Sequence, residues 1–376
     1  MNILIVTHVD FWKLEMGSHQ RIFSLIEFLK KHFTLYIAYI NPRKTDDENY
    51  LKKYNLNVIF VEELEKTSFD KKSINNFLDK NPILRNFYNE EITSKFNTIF
   101  SLYKFESVII EYLQLSYFLP LLKDKIVLLD SHDIMYKRAE SFEKNKQKHW
   151  LNITKEEEFS IFRNYHKVIA IQEDEYNLLI DNKIKSLYCP HPIKVENFVK
   201  EKDKKINIIF IGGYSIANKD AIEWFLCNIW KFFIKNRFLN LNIYGNVSSF
   251  FKHFDTFQTN IIINGKIENL EEIYKKGTIA INPVQMGGGL KIKNIEAMAY
   301  GIPLITTEIG AKGLEKGINN SFLVANTIDE WIEKLLFLIL SSTQREKLLR
   351  NARFFIEENF NENKSFSTLK NFIEKR

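Results

Sequence analysis

The segment from Asn282 to Thr307, NPVQMGGGLKIKNIEAMAYGIPLITT, sets Gly287, Gly288 and Gly289 ahead of a helical pattern. That pattern carries Leu290, Lys291, Lys293 and Glu296 near its start. Glycine lets backbone N–H groups approach a ligand with no Cβ in the way. The helix behind adds unpaired N–H groups and the positive end of its dipole. Together they make an anion site suited to phosphate. Gly289, Lys293 and Glu296 stand at i, i+4 and i+7, so they share one stripe. Lys293 reaches a phosphate at the helix start. Glu296, an acceptor one turn deeper, suits sugar hydroxyls, and neither side chain is expected in a core. Ile292, Ile295 and Ala299 turn to the sheet, and Gly301 and Pro303 stop the helix. A nucleotide fits this stripe; so does a solvated Lys/Glu pair behind an ordinary glycine turn.

Other candidates stand at strand ends. Gly17 and Ser18, in MGSHQRIF, follow the first apolar run, where an ordinary β-to-α turn would look the same. DSHD, Asp130 to Asp133, ends another buried run, and His132 or Asp133 there either looks into a cleft or caps the next helix. Arg138 is a second group for that spot or a helix-face charge. Gly213 follows INIIFI, and Lys219 offers a further cation, although Asn218 and Asp220 can simply cap a helix. Gly265, Lys266 and Ile267 end NIIINGKI, where core packing is the commoner role for Ile267. No Asp-x-Asp pair stands at a strand end to hold a divalent ion, and Asp46 and Asp47 fall in a polar loop, so no metal site is expected.

The elements that position these residues alternate. NILIV, TLYIAYI, NVIFV, SVIIEYL, KIVLLDS and KVIAIQ are strand candidates, with helix candidates such as His19 to His32 and Arg85 to Phe105 between them. This predicts a parallel sheet covered by helices on both faces. The pattern restarts after Pro190, His191 and Pro192. INIIFIGG, LNIYG, NIIING, TIAINPV, PLITT and SFLVA form a second series, with helices at Asn218 to Lys235, Leu270 to Lys276 and Leu290 to Tyr300. The expected organisation is two doubly wound Rossmann-like α/β domains, residues 1–190 and 206–355, joined by a charged linker at 191–205. The tail is helical from Ile328, and a last amphipathic piece within 356–376 is expected to pack back across the first domain.

At 376 residues the chain exceeds one ordinary domain. Its net charge of +6 favours anionic partners without demanding them, and no nucleic acid is expected. Cys189 and Cys227 make neither a disulfide framework nor a metal cluster, so a reducing compartment is the simplest reading. MNILIVTHVDFW has no basic stretch before its apolar run, and LLFLIL is too short to cross a bilayer. A cytoplasmic protein follows, with peripheral membrane contact as an added expectation. The helix Arg21 to Phe33 mixes Phe, Leu and Ile with Arg and Lys and is the candidate surface, although packing on the sheet with an exposed basic edge is the commoner arrangement.

GGGLKIKNIEAMAYGIPLITTEIGAKGL resembles the donor-site signature of glycosyltransferase family 4, which has the GT-B fold. FIGGYSIANKDAIEWF, VIAIQEDEYNLLI, YCPHPIKVENF and MGSHQRIFSLIEFL resemble further family segments in the same order. The resemblance implies two Rossmann-like domains facing a cleft, and a retaining transfer from a nucleotide-diphospho-sugar with no cofactor and no metal. It places Lys293 on the diphosphate, Lys291 at a position that is often Arg, and Glu296 on the ribose. Gly288 falls where a first glutamate would contact the sugar, so the amides of Gly289 and Leu290 take part of that role. It sets Gly17 and Ser18 against the diphosphate and sugar, His132 or Asp133 in the cleft, Gly213 and Lys219 near the donor, and Ile267 at the base. The implied acceptor is a glycan or lipid-linked sugar of the cell surface. An epimerase of the same fold and a catalytically silent glycan-binding homologue are the alternatives.

Overall fold

The computed structural model describes residues 1–196, 205–253, 256, 259–266 and 269–375. Most of the charged linker segment and Ile267 lie outside the described residues. The chain forms two compact units. The first contains Met1–Glu143, Gln147–Pro190 and Ser365–Arg376, and the second contains Lys144–Lys146 and His191–Lys364.

In the first unit, β1 (Asn2–Thr7), β2 (Thr34–Tyr39), β3 (Val58–Phe60), β4 (Ser107–Glu111), β5 (Ile126–Asp130), β6 (Lys167–Ala170) and β7 (Ser186–Tyr188) form one parallel sheet. Its order is β3-β2-β1-β4-β5-β6-β7, with Ile5 of β1 level with Ile37 and Ile109. Ile3 to Val6 and Val108 to Ile110 are buried on both faces, which is why these strands read as continuous apolar runs. The helices are α1 (Gly17–Leu29), α2 (Asp47–Lys53), α3 (Lys71–Lys80), α4 (Glu90–Leu102), α5 (Met135–Lys144), α6 (Lys155–Phe162) and α7 (Glu173–Asp181). The helix expected from Arg85 is shorter. A 3-10 turn occupies Pro82–Asn86, and α4 starts only where the Asn89 side chain accepts the Ile92 N–H. Asp47 is no loop residue: it opens α2, is buried, and accepts the Trp12 indole N–H at 3.0 Å. The helix offered as a candidate membrane surface follows the commoner of its two readings and packs in the core, with Arg21, Ile22, Leu25, Ile26, Phe28 and Leu29 all buried. A basic edge at Lys30, Lys31 and His32 stays exposed.

In the second unit, β8 (Ile206–Ile211), β9 (Leu239–Tyr244), β10 (Ile261–Gly265), β11 (Ile279–Asn282), β12 (Leu304–Thr306) and β13 (Leu323–Val324) form a second parallel sheet, ordered β10-β9-β8-β11-β12-β13. Its helices are α8 (Ile216–Asn228), α9 (Leu270–Lys276), α10 (Ile292–Ala299), α11 (Ile328–Leu340) and α12 (Ser342–Asn359). Ser215 caps α8 by accepting the Asn218 N–H, so neither Asn218 nor Asp220 has the capping role the sequence offered them. α13 (Glu362–Glu374) carries the chain back to the first unit, where Phe366, Leu369 and Ile373 are fully buried beside Ile22 and Ile26.

Candidate functional site

Strand order reverses between β8 and β11 in the second sheet, and ligands of doubly wound sheets bind at the carboxyl ends beside such a reversal. The glycine loop lies there, between β11 and α10. Gly287 and Gly289 hold φ of 109° and 71°, a region costly for residues with a Cβ. Lys291 does not point outward: its ammonium donates to the carbonyls of Gly288 and Gly289, the latter at 2.8 Å, and so braces the loop. Lys293, one turn into α10, donates to Asn218 Oδ1 at 2.7 Å and sits 4.4 Å above the Phe210 ring. Asn218 in turn donates to the Gly213 carbonyl at 2.9 Å. The Lys293–Asn218 bond thus spans the reversal, from the helix after β11 to the helix after β8. Burial, reinforced by the nearby Lys291 charge, pulls the Lys293 ammonium down to about 7. Lys219 forms an ion pair with Glu223 one turn along α8, at 3.1 Å.

Glu296 is buried, contrary to the expectation of an exposed stripe. Tyr274 and Tyr300 stack nearby, 4.5 Å apart; burial, and after it the Glu296 charge among others, raises both phenols. Asn294 is also fully buried. It accepts from Asn282 at 2.9 Å and donates to the Gly310 carbonyl at 2.8 Å, which locks α10 to the end of β11. The rim continues across β9 and β10. A cavity of about 1050 Å³ is lined by Tyr214, Gly245, Ser248, Phe251, Gly265 and Lys266. Tyr214 stacks on Phe250 at 4.4 Å, in part open to solvent.

The first sheet reverses between β1 and β4. Gly17 and Ser18 form the first turn of α1 rather than the loop before it. Ser18 hydrogen-bonds Tyr112, which follows β4, so this bond also spans a reversal. His132 follows β5 with φ of 61°, stacks on Tyr112 at 4.0 Å and 6°, and meets Glu111 Oε2 through Nε2 at 2.7 Å. Burial alone would lower the His132 pKa, but the Asp130 and Glu111 carboxylates outweigh it and raise it. Burial and the Asp130 charge push Glu111 up to about 7. Burial, then the His132 charge, holds His8 down at about 4. Arg21 pairs with Asp130 at 3.0 Å, donates to the Pro190 carbonyl at 3.0 Å, and has the Phe366 ring 4.9 Å from its guanidinium carbon. Donor atoms of Glu111, Asp130 and His132 lie within 4.8 Å of one another, as a cation would need. Arg21 already balances Asp130 there, and His132 already faces Glu111.

His132 does not cap α5. Glu158 does, taking the Met135 and Tyr136 N–H groups at 2.8 Å each. Asp133 is paired with Arg138. The second unit therefore brings Gly288, Gly289, Leu290, Lys291, Lys293, Glu296 and Gly213 to one end of its sheet. The first does the same for Ser18, His132 and Asp133. Sequence reasoning gave no functional role to Asn218, Asn294, Glu111 or Arg21. The carboxylate in SVIIEYL, sitting at the end of an otherwise apolar strand, was the one available signal.

Residues 205–341 match the family described as Glycosyl transferases group 1. An uncharacterized 44.6 kDa protein in the cps region of Klebsiella pneumoniae is 26% identical over 222 residues, 55% of each chain, so the match spans little more than half of that relative. An uncharacterized glycosyltransferase of Methanocaldococcus jannaschii is 25% identical over 272 residues, 67% of this chain and 69% of its own. Sucrose-phosphate synthase from Thermosynechococcus elongatus superposes with a TM-score of 0.75 at 12% identity, covering 100% of this chain and 98% of that one. The pneumococcal O-GlcNAc transferase, solved with UDP and GlcNAc, gives 0.69 at 11% identity, covering 100% and 99%. The fold is GT-B, with two Rossmann-like units as expected. Together these findings give the chain a GT-B fold and a likeness to group 1 glycosyl transferases over residues 205–341.

Proposed function

We propose that this protein is a retaining, metal-independent glycosyltransferase that moves a sugar from a nucleotide-diphospho-sugar to a glycan or lipid-linked acceptor in cell-surface polysaccharide synthesis. The observation that carries the reading is the Lys293–Asn218 bridge beside the glycine loop, across the point where strand order reverses. The solved neighbour holding UDP and GlcNAc and the relative in a cps region support the choice of donor and setting.

In this reading the second unit binds the donor. Amides of Gly289 and Leu290 face the diphosphate, and Lys293 leaves Asn218 to meet it. Negative charge grows on the leaving diphosphate in the transition state. The repositioned ammonium and the loop amides stabilise that charge without a metal. Glu296 accepts from the ribose hydroxyls. The first unit binds the acceptor, where His132, held by Glu111 and Tyr112, orients a sugar hydroxyl and Asp133 lies beside it. The leaving phosphate oxygen takes the acceptor proton, so no separate base is required. The setting is the cytoplasm.

The test is a screen of nucleotide sugars for nucleoside diphosphate release, with and without lipid-linked acceptors, in strong chelator. Acceptor-dependent release with the anomeric configuration kept is the expected result. Loss of turnover in chelator, restored by manganese, would overturn metal independence. Conversion of the donor alone would mark an epimerase, and binding without either reaction a silent homologue.

A further inference from the structure

We propose that the second unit docks on an anionic lipid bilayer through the turn from Trp230 to Phe238, at the amino ends of its strands. The sequence there, WKFFIKNRF, holds Lys231, Lys235 and Arg237, all exposed, and the chain has no Asp or Glu between Glu223 and Asp255. Exposed Lys205 adds a further cation. The Ile206 N–H donates to the Phe238 carbonyl at 2.9 Å, which sets Lys205 beside Phe238.

The turn is not a frayed loop. Trp230 is fully buried, Phe233 is buried, and Asn260 clamps the backbone. Its amide donates to the carbonyls of Phe233 and Asn236 at 2.9 and 3.0 Å, and its oxygen accepts the Trp230 indole N–H at 3.0 Å. On this braced turn, Phe232 and Phe238 are 61% and 60% exposed. The Lys231 ammonium lies 5.1 Å from the Phe232 ring centre, and the Arg237 guanidinium 5.3 Å from that of Phe238.

Two rings held out to solvent, each beside its own cation, with no acid in the stretch, match the chemistry of a membrane interface. Aromatic rings settle at the headgroup level while Lys and Arg reach the phosphates. A single-stranded nucleic acid would need open ring faces for stacking, and one face of each ring already carries a cation. The geometry also suits a soluble donor. The turn lies at the start of β9, whereas the glycine loop lies at the carboxyl ends, about 20 Å away along strands of this length. Docking by the turn leaves the loop clear. The inference does not depend on the glycosyltransferase reading.

Vesicle co-sedimentation of the full chain tests it, with phosphatidylcholine alone and with added phosphatidylglycerol. Binding to the anionic vesicles only, weakening with salt, is expected. Lys231→Gln/Lys235→Gln/Arg237→Gln should bind on the order of 100-fold more weakly, since each cation near such a surface contributes a factor of about five. Phe232→Ser/Phe238→Ser should bind at least about tenfold more weakly even at low salt. Both variants should unfold at the parental temperature, because all five side chains are exposed. Equal binding to neutral vesicles, no binding to anionic ones, parental binding by the triple variant, or tighter binding to a single-stranded oligonucleotide than to vesicles would overturn the proposal.

Discussion

Lys293 stands between two opposing demands. Burial over Phe210 favours a neutral amine, and Asn218 Oδ1 favours the ammonium. A diphosphate arriving beside it tips the balance to the charged form, so nucleoside diphosphate binding should take up a proton above about pH 7 and weaken as pH rises further. Calorimetry in buffers of different ionisation heat measures this, and a binding heat independent of the buffer would contradict it. Lys293→Ala should lower turnover about 10²- to 10³-fold, as expected for loss of one transition-state donor. Glu296→Gln should act chiefly on the Michaelis constant, because ribose contacts change little during reaction. Its near-equal volume matters, since Glu296 is buried. In the first unit the pKa values are shifted in the opposite direction, upward. Glu111 and His132 both have folded pKa values raised, so the folded state holds extra protons and loses stability as pH rises from the ordinary carboxylate range through 7. Glu111→Gln removes that uptake, so the stability of the parent relative to the variant should fall between pH 5 and 8; a constant gap in urea melts would refute the assignment. The Lys293–Glu296 stripe was legible in the sequence because helical spacing is local. Asn218 meets Lys293 from 75 positions away and Arg21 meets Asp130 from 109, and no local pattern encodes such pairs. The burial of Glu296 was missed for a related reason: the groups near it include Tyr274, which comes from a different helix.

At the scale of elements, one glycine sets the rim of the second unit. Gly245 follows β9 with φ of 92°, and a Cβ there would lie 2.4 Å from the Gly212 carbonyl oxygen. That carbonyl accepts the Val247 N–H at 3.1 Å, and the Gly245 N–H donates to the Gly265 carbonyl at 2.6 Å, so the ends of β8, β9 and β10 are laced together. Gly245→Ala should cost about 1–3 kcal/mol from backbone strain and crowding, read by urea denaturation. It should also weaken nucleotide binding, while an equally destabilising core change in the first unit should not. Arg21 plays the comparable part in the first unit, joining α1 to β5, to the Pro190 carbonyl and to Phe366. Arg21→Ala leaves a buried carboxylate unpaired and should cost about 3–5 kcal/mol. Arg21→Met combined with Asp130→Leu should cost far less. Strand and helix alternation told the order of these elements in advance, because parallel strands buried on both faces are continuous apolar runs. The short β7 and the exact start of α4 were not visible. β7 reads Ser-Leu-Tyr, without the β-branched residues that mark the other strands, and the start of α4 is decided by one side-chain cap at Asn89.

Across the whole molecule, the first unit is assembled from both ends of the described chain. Phe366, Leu369 and Ile373 fill its core, and each such side chain contributes about 1.5–3 kcal/mol when buried. Removing Ser365–Arg376 therefore takes away a sum comparable with the whole stability of an ordinary domain, about 5–15 kcal/mol. Calorimetry of the truncated chain should lose the transition of the first unit. It should keep that of the second, which a nucleoside diphosphate at 100 times its dissociation constant raises by about 2.7 kcal/mol. A truncated chain showing both transitions at parental temperatures would refute this. The arrangement of the tail also fixes an order in time. On a translating ribosome, residues up to Pro190 emerge first, yet their core stays open until α13 follows, roughly 10–35 s later at about 5–20 residues per second. The second unit, made later, holds all its own segments earlier. Of the two units, the one that begins to emerge earlier is thus the one completed later, and its exposed Ile22 and Ile26 surface is what a nascent-chain chaperone would meet in the interval.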